Sequence, residues 1–89
     1  MKIAFEASFE RDLKRVRQKQ LLQQVRQVIE SIKSTQDLSA LPGMKKMQGY
    51  DTFYRIRLGD YRIGIEVVAD QVIFVRLLHR KDIYKYFPK

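Results

Sequence analysis

Apolar residues recur along this chain with two different periods, and the change of period divides it in two. Between residues 9 and 32 the spacing is helical: Phe9, Leu13 and Val16, then Leu21, Leu22, Val25, Val28, Ile29 and Ile32. The second set runs i, i+1, i+4, i+7, i+8, i+11, the stripe of an amphipathic helix laid on a core. Ser8 is placed to cap the first helix, with Glu10 and Asp12 in its first turn. Lys14, Arg15, Arg17, Lys19 and Arg26 fall mostly on the wet side. Beyond residue 52 the period is two. Residues 53–58 and 61–68 alternate strictly, and residues 72–79 read as a last strand. Residues 2–6 predict a short first strand, 44–47 another, and 80–87 a short terminal helix. No linker or repeat interrupts the chain, so one α+β domain is expected over residues 1–89.

The strand pattern predicts which side chains meet. Gly59-Asp60 reads as a two-residue hairpin loop of type II′, with glycine at the first position. That loop pairs Leu58 with Tyr61, Arg57 with Arg62, Ile56 with Ile63, and Arg55 with Gly64. The aliphatic residues then face the helices and the arginines face outward. Arg57 opposite Arg62 is a destabilising cross-strand pair. It makes sense if an anion lies between them, and two guanidinium forks converging on one place suit a phosphate. Gly64 beside Arg55 is expected to leave room for a ligand. If Asp70-Gln71 forms the next loop, Ala69 meets Val72, Ile63 meets Leu78 and Arg62 meets His79. The predicted row is Arg57, Arg62, His79. One residue fits this register badly: Arg76 points to the apolar face, at best near its rim.

Charge strengthens the anion reading. The 89 residues carry 18 Lys and Arg against 10 Asp and Glu, a formal +8. An excess of that size on a small domain points to a polyanion, usually nucleic acid, or to an acidic protein partner. There is no cysteine, which excludes a disulfide framework and a thiolate metal site. The single histidine, His79, excludes a multi-histidine metal site, and no metal or cofactor is expected. No stretch has the roughly 20 apolar residues of a membrane span. The first residues reach a charge too early for a secretory signal, so the cytosol is the expected compartment.

Two stretches, Phe53-Tyr-Arg-Ile-Arg-Leu-Gly-Asp-Tyr-Arg-Ile-Gly-Ile-Glu66 and Val75-Arg-Leu-Leu-His-Arg-Lys-Asp-Ile-Tyr84, resemble the RelE branch of the RelE/ParE toxin superfamily. The family pattern is a Tyr-Arg-(aliphatic)-Arg hairpin, then Tyr-Arg-(aliphatic), then a strand ending in His-Arg with a tyrosine downstream. The resemblance covers nearly the whole chain. It implies an N-terminal strand and a two-helix hairpin packed on an antiparallel β-sheet, with a short C-terminal helix. It implies a toxin of a bacterial type II toxin–antitoxin system, acting in the cytoplasm and held in a hetero-oligomer by a cognate antitoxin. It further implies metal-independent cleavage of mRNA, typically on the ribosome. One departure bears on mechanism. The best-known member has lysines where this chain has Arg55 and Arg57, and arginine cannot serve as a base.

Cleavage of this kind needs a base for the 2′-hydroxyl, cations for the phosphorane and an acid for the leaving 5′-oxygen. The expected roles are His79 as base or acid, with Arg57, Arg62 and Arg80 stabilising charge and Arg55 holding the strand. Tyr84 stacks on a base or orients the attacking group, whereas Tyr86 and Phe87 read as packing. Lys45, Lys46, Lys81 and Lys85 are candidates for flanking phosphates. Two alternatives stand beside this reading: a ParE-like inhibitor of DNA gyrase, and an RNA- or ribosome-binding module without catalysis.

Overall fold

The computed structural model describes residues 1–88. Strand β1 (Lys2–Phe5) leads into helices α1 (Ala7–Lys14) and α2 (Lys19–Ser34), then a 3₁₀ turn at Leu38–Ala40. Strands β2 (Met44–Lys46), β3 (Phe53–Leu58), β4 (Tyr61–Val68) and β5 (Gln71–His79) follow, and α3 (Ile83–Tyr86) closes the chain. The helical and alternating segments thus form the elements their periods predict. The α1 N-terminus differs in its cap: Glu6 occupies the position and Ser8 Oγ instead donates to the Val75 carbonyl at 2.6 Å.

The five strands form one sheet in the order β1-β5-β4-β3-β2. It is mixed rather than purely antiparallel, because β1 lies parallel to β5, with Lys2 beside Gln71 and Phe5 beside Phe74. Alternation along a strand gives the facing of side chains but not the strand's direction, so the sequence pattern did not carry this. The helices cover one face, α1 packing on β5 and α2 on β1 and β3. Phe9, Leu21, Val25 and Ile32 meet Ile56, Ile63, Ile65, Val72, Phe74 and Leu77 there. Each such side chain, fully buried, contributes roughly 1.5–3 kcal/mol. The other face carries a smaller cluster of Met47, Ile83 and Phe87 with Phe53, Val75 and Leu78. The rest of that second face is open, and the arginines lie on it.

The first hairpin has the predicted register: Leu58 meets Tyr61, Arg57 meets Arg62 and Arg55 meets Gly64. Gly59 has φ +62°, as the first position of a type II′ turn requires. The second hairpin differs. Its loop is Ala69-Asp70, one residue earlier than expected, with Ala69 at φ 55° and Val68 paired with Gln71. The register then shifts again between Gly64 and Ile65, where Val75 is the extra residue on β5. The two changes leave Arg62 opposite Leu78, and His79 opposite Tyr61. A net slip of one residue turns a side chain to the other face.

Asp12 explains the misfit of Arg76. The Asp12 carboxylate is buried and accepts from Arg76 Nε at 2.7 Å, Arg76 Nη2 at 3.2 Å and the Leu77 backbone N–H at 2.9 Å. Beyond Phe74, β1 no longer covers the β5 edge. Asp12 and Ser8 occupy the exposed backbone groups instead, a common way of blocking an edge strand. The bulge at Val75 puts Arg76 opposite Gly64, out of the apolar phase, and its guanidinium meets Asp12 at the uncovered β5 edge.

Candidate nucleic-acid interface

Arg55 and Arg57 point to the open face because they alternate with Tyr54, Ile56 and Leu58, which pack toward the helices. Arg62 joins them from β4 through the direct Arg57–Arg62 pairing. Lys45 adds a fourth cation, since it pairs with Arg55 from β2. Arg62 is the best anchored: one terminal nitrogen donates to the Gly59 carbonyl at 2.7 Å and the Tyr61 carbonyl at 2.8 Å. Partial burial, then the charges of Arg55 and Arg57 and, more weakly, Arg80, hold its guanidinium below the usual arginine range, with Tyr84 acting in the opposite direction. Four guanidinium groups and a phenol therefore share one neighbourhood, and their mutual repulsion is relieved by a bound anion.

Tyr84 is tied to this group. Its hydroxyl oxygen accepts from Arg55 Nε at 3.2 Å, and the side chain remains 68% exposed. An exposed phenol that keeps its own proton to donate can orient or protonate a substrate oxygen. Arg80 follows β5, with its backbone N–H donating to the Asp60 carbonyl at 2.7 Å. Its side chain lies 3.9 Å from the Asp60 carboxylate, but both are exposed, so the pair is weak and leaves Arg80 available.

The remaining candidates separate. His79 is not in the arginine row; it shares a row with Leu58 and Tyr61 on the helix side and meets Tyr61 edge-to-face at 5.5 Å. Its Nδ1 accepts from the Lys81 backbone N–H at 3.2 Å. That bond engages Nδ1 and, in the neutral ring, leaves the proton on Nε2. Lys46 also lies on the reverse face, opposite Tyr54, with Asp51 at 3.8 Å. Lys81 and Lys85 are exposed near the chain end. Tyr86, read as packing, is 49% exposed, whereas Phe87 is buried as expected.

Gly64 has a different use from the one expected. A Cβ there would lie 2.8 Å from three carbons of the Phe87 ring, so the space beside Arg55 is filled by the chain itself. The glycine lets α3 settle on the sheet and thereby brings Tyr84 to Arg55. Gly64→Ala is expected to lower stability by about 1–3 kcal/mol through overpacking and to break the Tyr84–Arg55 contact. Denaturant unfolding and tyrosine side-chain NMR check the two effects.

The missed residue is Asp12. Its signal was in the sequence, because Asp12 lies three residues after Phe9 and four before Val16, on the apolar side of α1, just as Arg76 fell on the apolar side of β5.

Comparison with known proteins agrees with this architecture. The family described as ParE toxin of type II toxin–antitoxin system, parDE, matches residues 3–84. Toxin RelE3 of Methanocaldococcus jannaschii is 46% identical over 89 residues, covering 99% of this chain and 100% of that protein. The RelB-RelE antitoxin-toxin complex from Methanococcus jannaschii superposes with a TM-score of 0.82 at 44% identity, covering 96% of this chain and 99% of that one. The archaeal RelE-RelB complex from Pyrococcus horikoshii gives a TM-score of 0.72 at 18% identity over 89% and 93% of the two chains, a likeness of fold alone. The chain therefore belongs to the RelE/ParE family of toxins from type II toxin–antitoxin systems.

Proposed function

We propose that this toxin is an mRNA endoribonuclease that stops translation in the cytoplasm by cutting messages on the ribosome, without a metal. The observation that carries this reading is the Arg57–Arg62 pair with Arg55 and Arg80 beside it, a like-charged group whose natural complement is a backbone phosphate. Guanidinium groups neutralise the charge that builds on a phosphorane, the service a metal supplies elsewhere. Arg57, Arg62 and Arg80 take this role, while Arg55 fixes Tyr84 and binds the neighbouring phosphate. Tyr84 donates its proton to the leaving 5′-oxygen or orients the 2′-hydroxyl. Lys45, paired with Arg55 on this face, is the candidate to take the 2′-hydroxyl proton, a chemistry closed to the arginines. The products carry a 2′,3′-cyclic phosphate, because the nucleophile belongs to the substrate. Lys81 and Lys85 meet flanking phosphates.

A cognate antitoxin completes the system, as RelB does for RelE in the related complex. The +8 charge favours an acidic or mixed-charge partner segment over the arginine face.

Mapping message 3′ ends in a translating extract tests the reading. New ends within codons, dependent on translation and unaffected by EDTA added at a level the ribosomes tolerate, are expected. Intact messages with gyrase-linked DNA breaks favour the ParE activity instead. His79→Ala is expected to leave the single-turnover cleavage rate at saturating protein within about threefold, against the ~10²–10⁴-fold loss of an acid–base residue.

A further inference from the structure

His79 takes no part in the arginine face, yet it lines a cleft of about 650 Å³ at the uncovered end of β5, with Tyr61, Tyr86, Arg15, Arg17 and Arg76. That volume lies in the range of small-molecule sites. We infer that this cleft holds one nucleotide of single-stranded RNA, with its phosphate on Arg15 and Arg17 and its base against the aromatic rings. The inference deepens the nuclease reading and rests on it for the class of ligand.

Three observations support it. The wall is aromatic: Tyr61 and His79 meet at 5.5 Å, and Tyr86, half exposed, has the Arg76 guanidinium 6.0 Å from its ring centre. Aromatic and guanidinium surfaces are what unstacked bases rest on. The charge is suitable: Asp12 is neutralised by Arg76, which leaves the exposed Arg15 and Arg17 against the Asp82 carboxylate. The place is suitable too, since His79 in the cleft and Arg80 near Arg62 are consecutive residues. A strand leaving the arginine face passes over Arg80 to reach the cleft. His79 adds a donor, because the Lys81 N–H on its Nδ1 leaves the Nε2 proton for a base or phosphate acceptor.

The test uses the intact toxin, a 2′-O-methylated ten-nucleotide RNA that cannot be cut, and a 5′-mononucleotide. The chain has one histidine, so its ring protons give a single set of signals; His79 also lines a groove beside Gln24 and Leu58, and loss of the shift on removing Arg15 and Arg17 assigns it to the cleft. Both ligands are expected to shift these signals. Arg15→Ala with Arg17→Ala should abolish the mononucleotide shift, weaken the RNA about tenfold and flatten the salt slope by about 0.7, the value for one phosphate neutralised on a single strand. Both arginines are exposed, so folding is retained. Arg57→Thr should weaken the RNA but keep the mononucleotide shift. Unchanged RNA affinity in the double variant, or His79 signals still at RNA saturation, overturns the inference. So does a shift produced by an acidic peptide and not by RNA, which makes the cleft a protein contact. Message-end mapping is read separately, so the cleft can fail while the nuclease reading stands.

Discussion

Replacing Arg57 by threonine should make the toxin more stable and far less active. Arg57 is exposed and faces Arg62 directly, so its removal relieves a like-charge pair. The expected gain is up to about 1 kcal/mol, a cross-strand magnitude. Threonine also suits a strand. The same change removes one of the guanidinium groups assigned to the phosphorane, and cleavage should fall roughly 10²–10³-fold, as for other donors aimed at developing charge. Arg57→Lys should restore part of the activity, because charge remains while the bidentate fork is lost. Equilibrium unfolding and single-turnover cleavage, measured on the same preparations, give the two signs. A residue kept only for solubility would show neither the gain nor the loss.

Asp12→Ala should produce the largest loss of stability in the molecule's polar framework. The substitution strips Arg76 of both contacts and leaves the Leu77 N–H without its acceptor at the edge of the core. Breaking a buried pair by removing one partner is more damaging than replacing both. Arg76 is 25% exposed and recovers some hydration, so the expected loss is about 3 kcal/mol, at the low end for such pairs. For a chain of this size that lowers Tm by roughly 12–24 °C. Combining it with Arg76→Met should recover at least about 1 kcal/mol, because the stranded charge is gone. Thermal and urea unfolding of the two single variants and the double variant check this. At saturating protein the cleavage rate should follow the folded fraction, since neither residue lies on the arginine face and any weaker hold of RNA in the cleft beside Arg76 is then overcome.

The two hairpins show what the sequence could and could not disclose. The first was readable because Gly59 marks its loop and both strands alternate without interruption, so the facing of Arg55, Arg57 and Arg62 followed by counting. The second was not, because its loop turns on Ala69 at φ 55°, a conformation that composition assigns to glycine or asparagine. The bulge at Val75 then changed the phase within β5. Counting across both placed His79 beside Arg62, whereas the chain turns it to the helix side. Arg76 carried the warning: a guanidinium in an apolar phase needs a partner or a register change, and here it has both. Gly64 was recognised as a close approach, but whether a ligand or Phe87 fills the space depends on where the chain end folds back, which local pattern does not contain. The helices were legible from their stripes alone, Leu21, Val25 and Ile32 being buried as their spacing requires.

Single-turnover cleavage of ribosome-bound message by Arg57→Thr and His79→Ala, each at saturating concentration, separates the two faces of the sheet. The arginine-face account gives a drop of two or more orders of magnitude for the first and a rate near wild type for the second. The reverse pattern, full activity without Arg57 and none without His79, would contradict it.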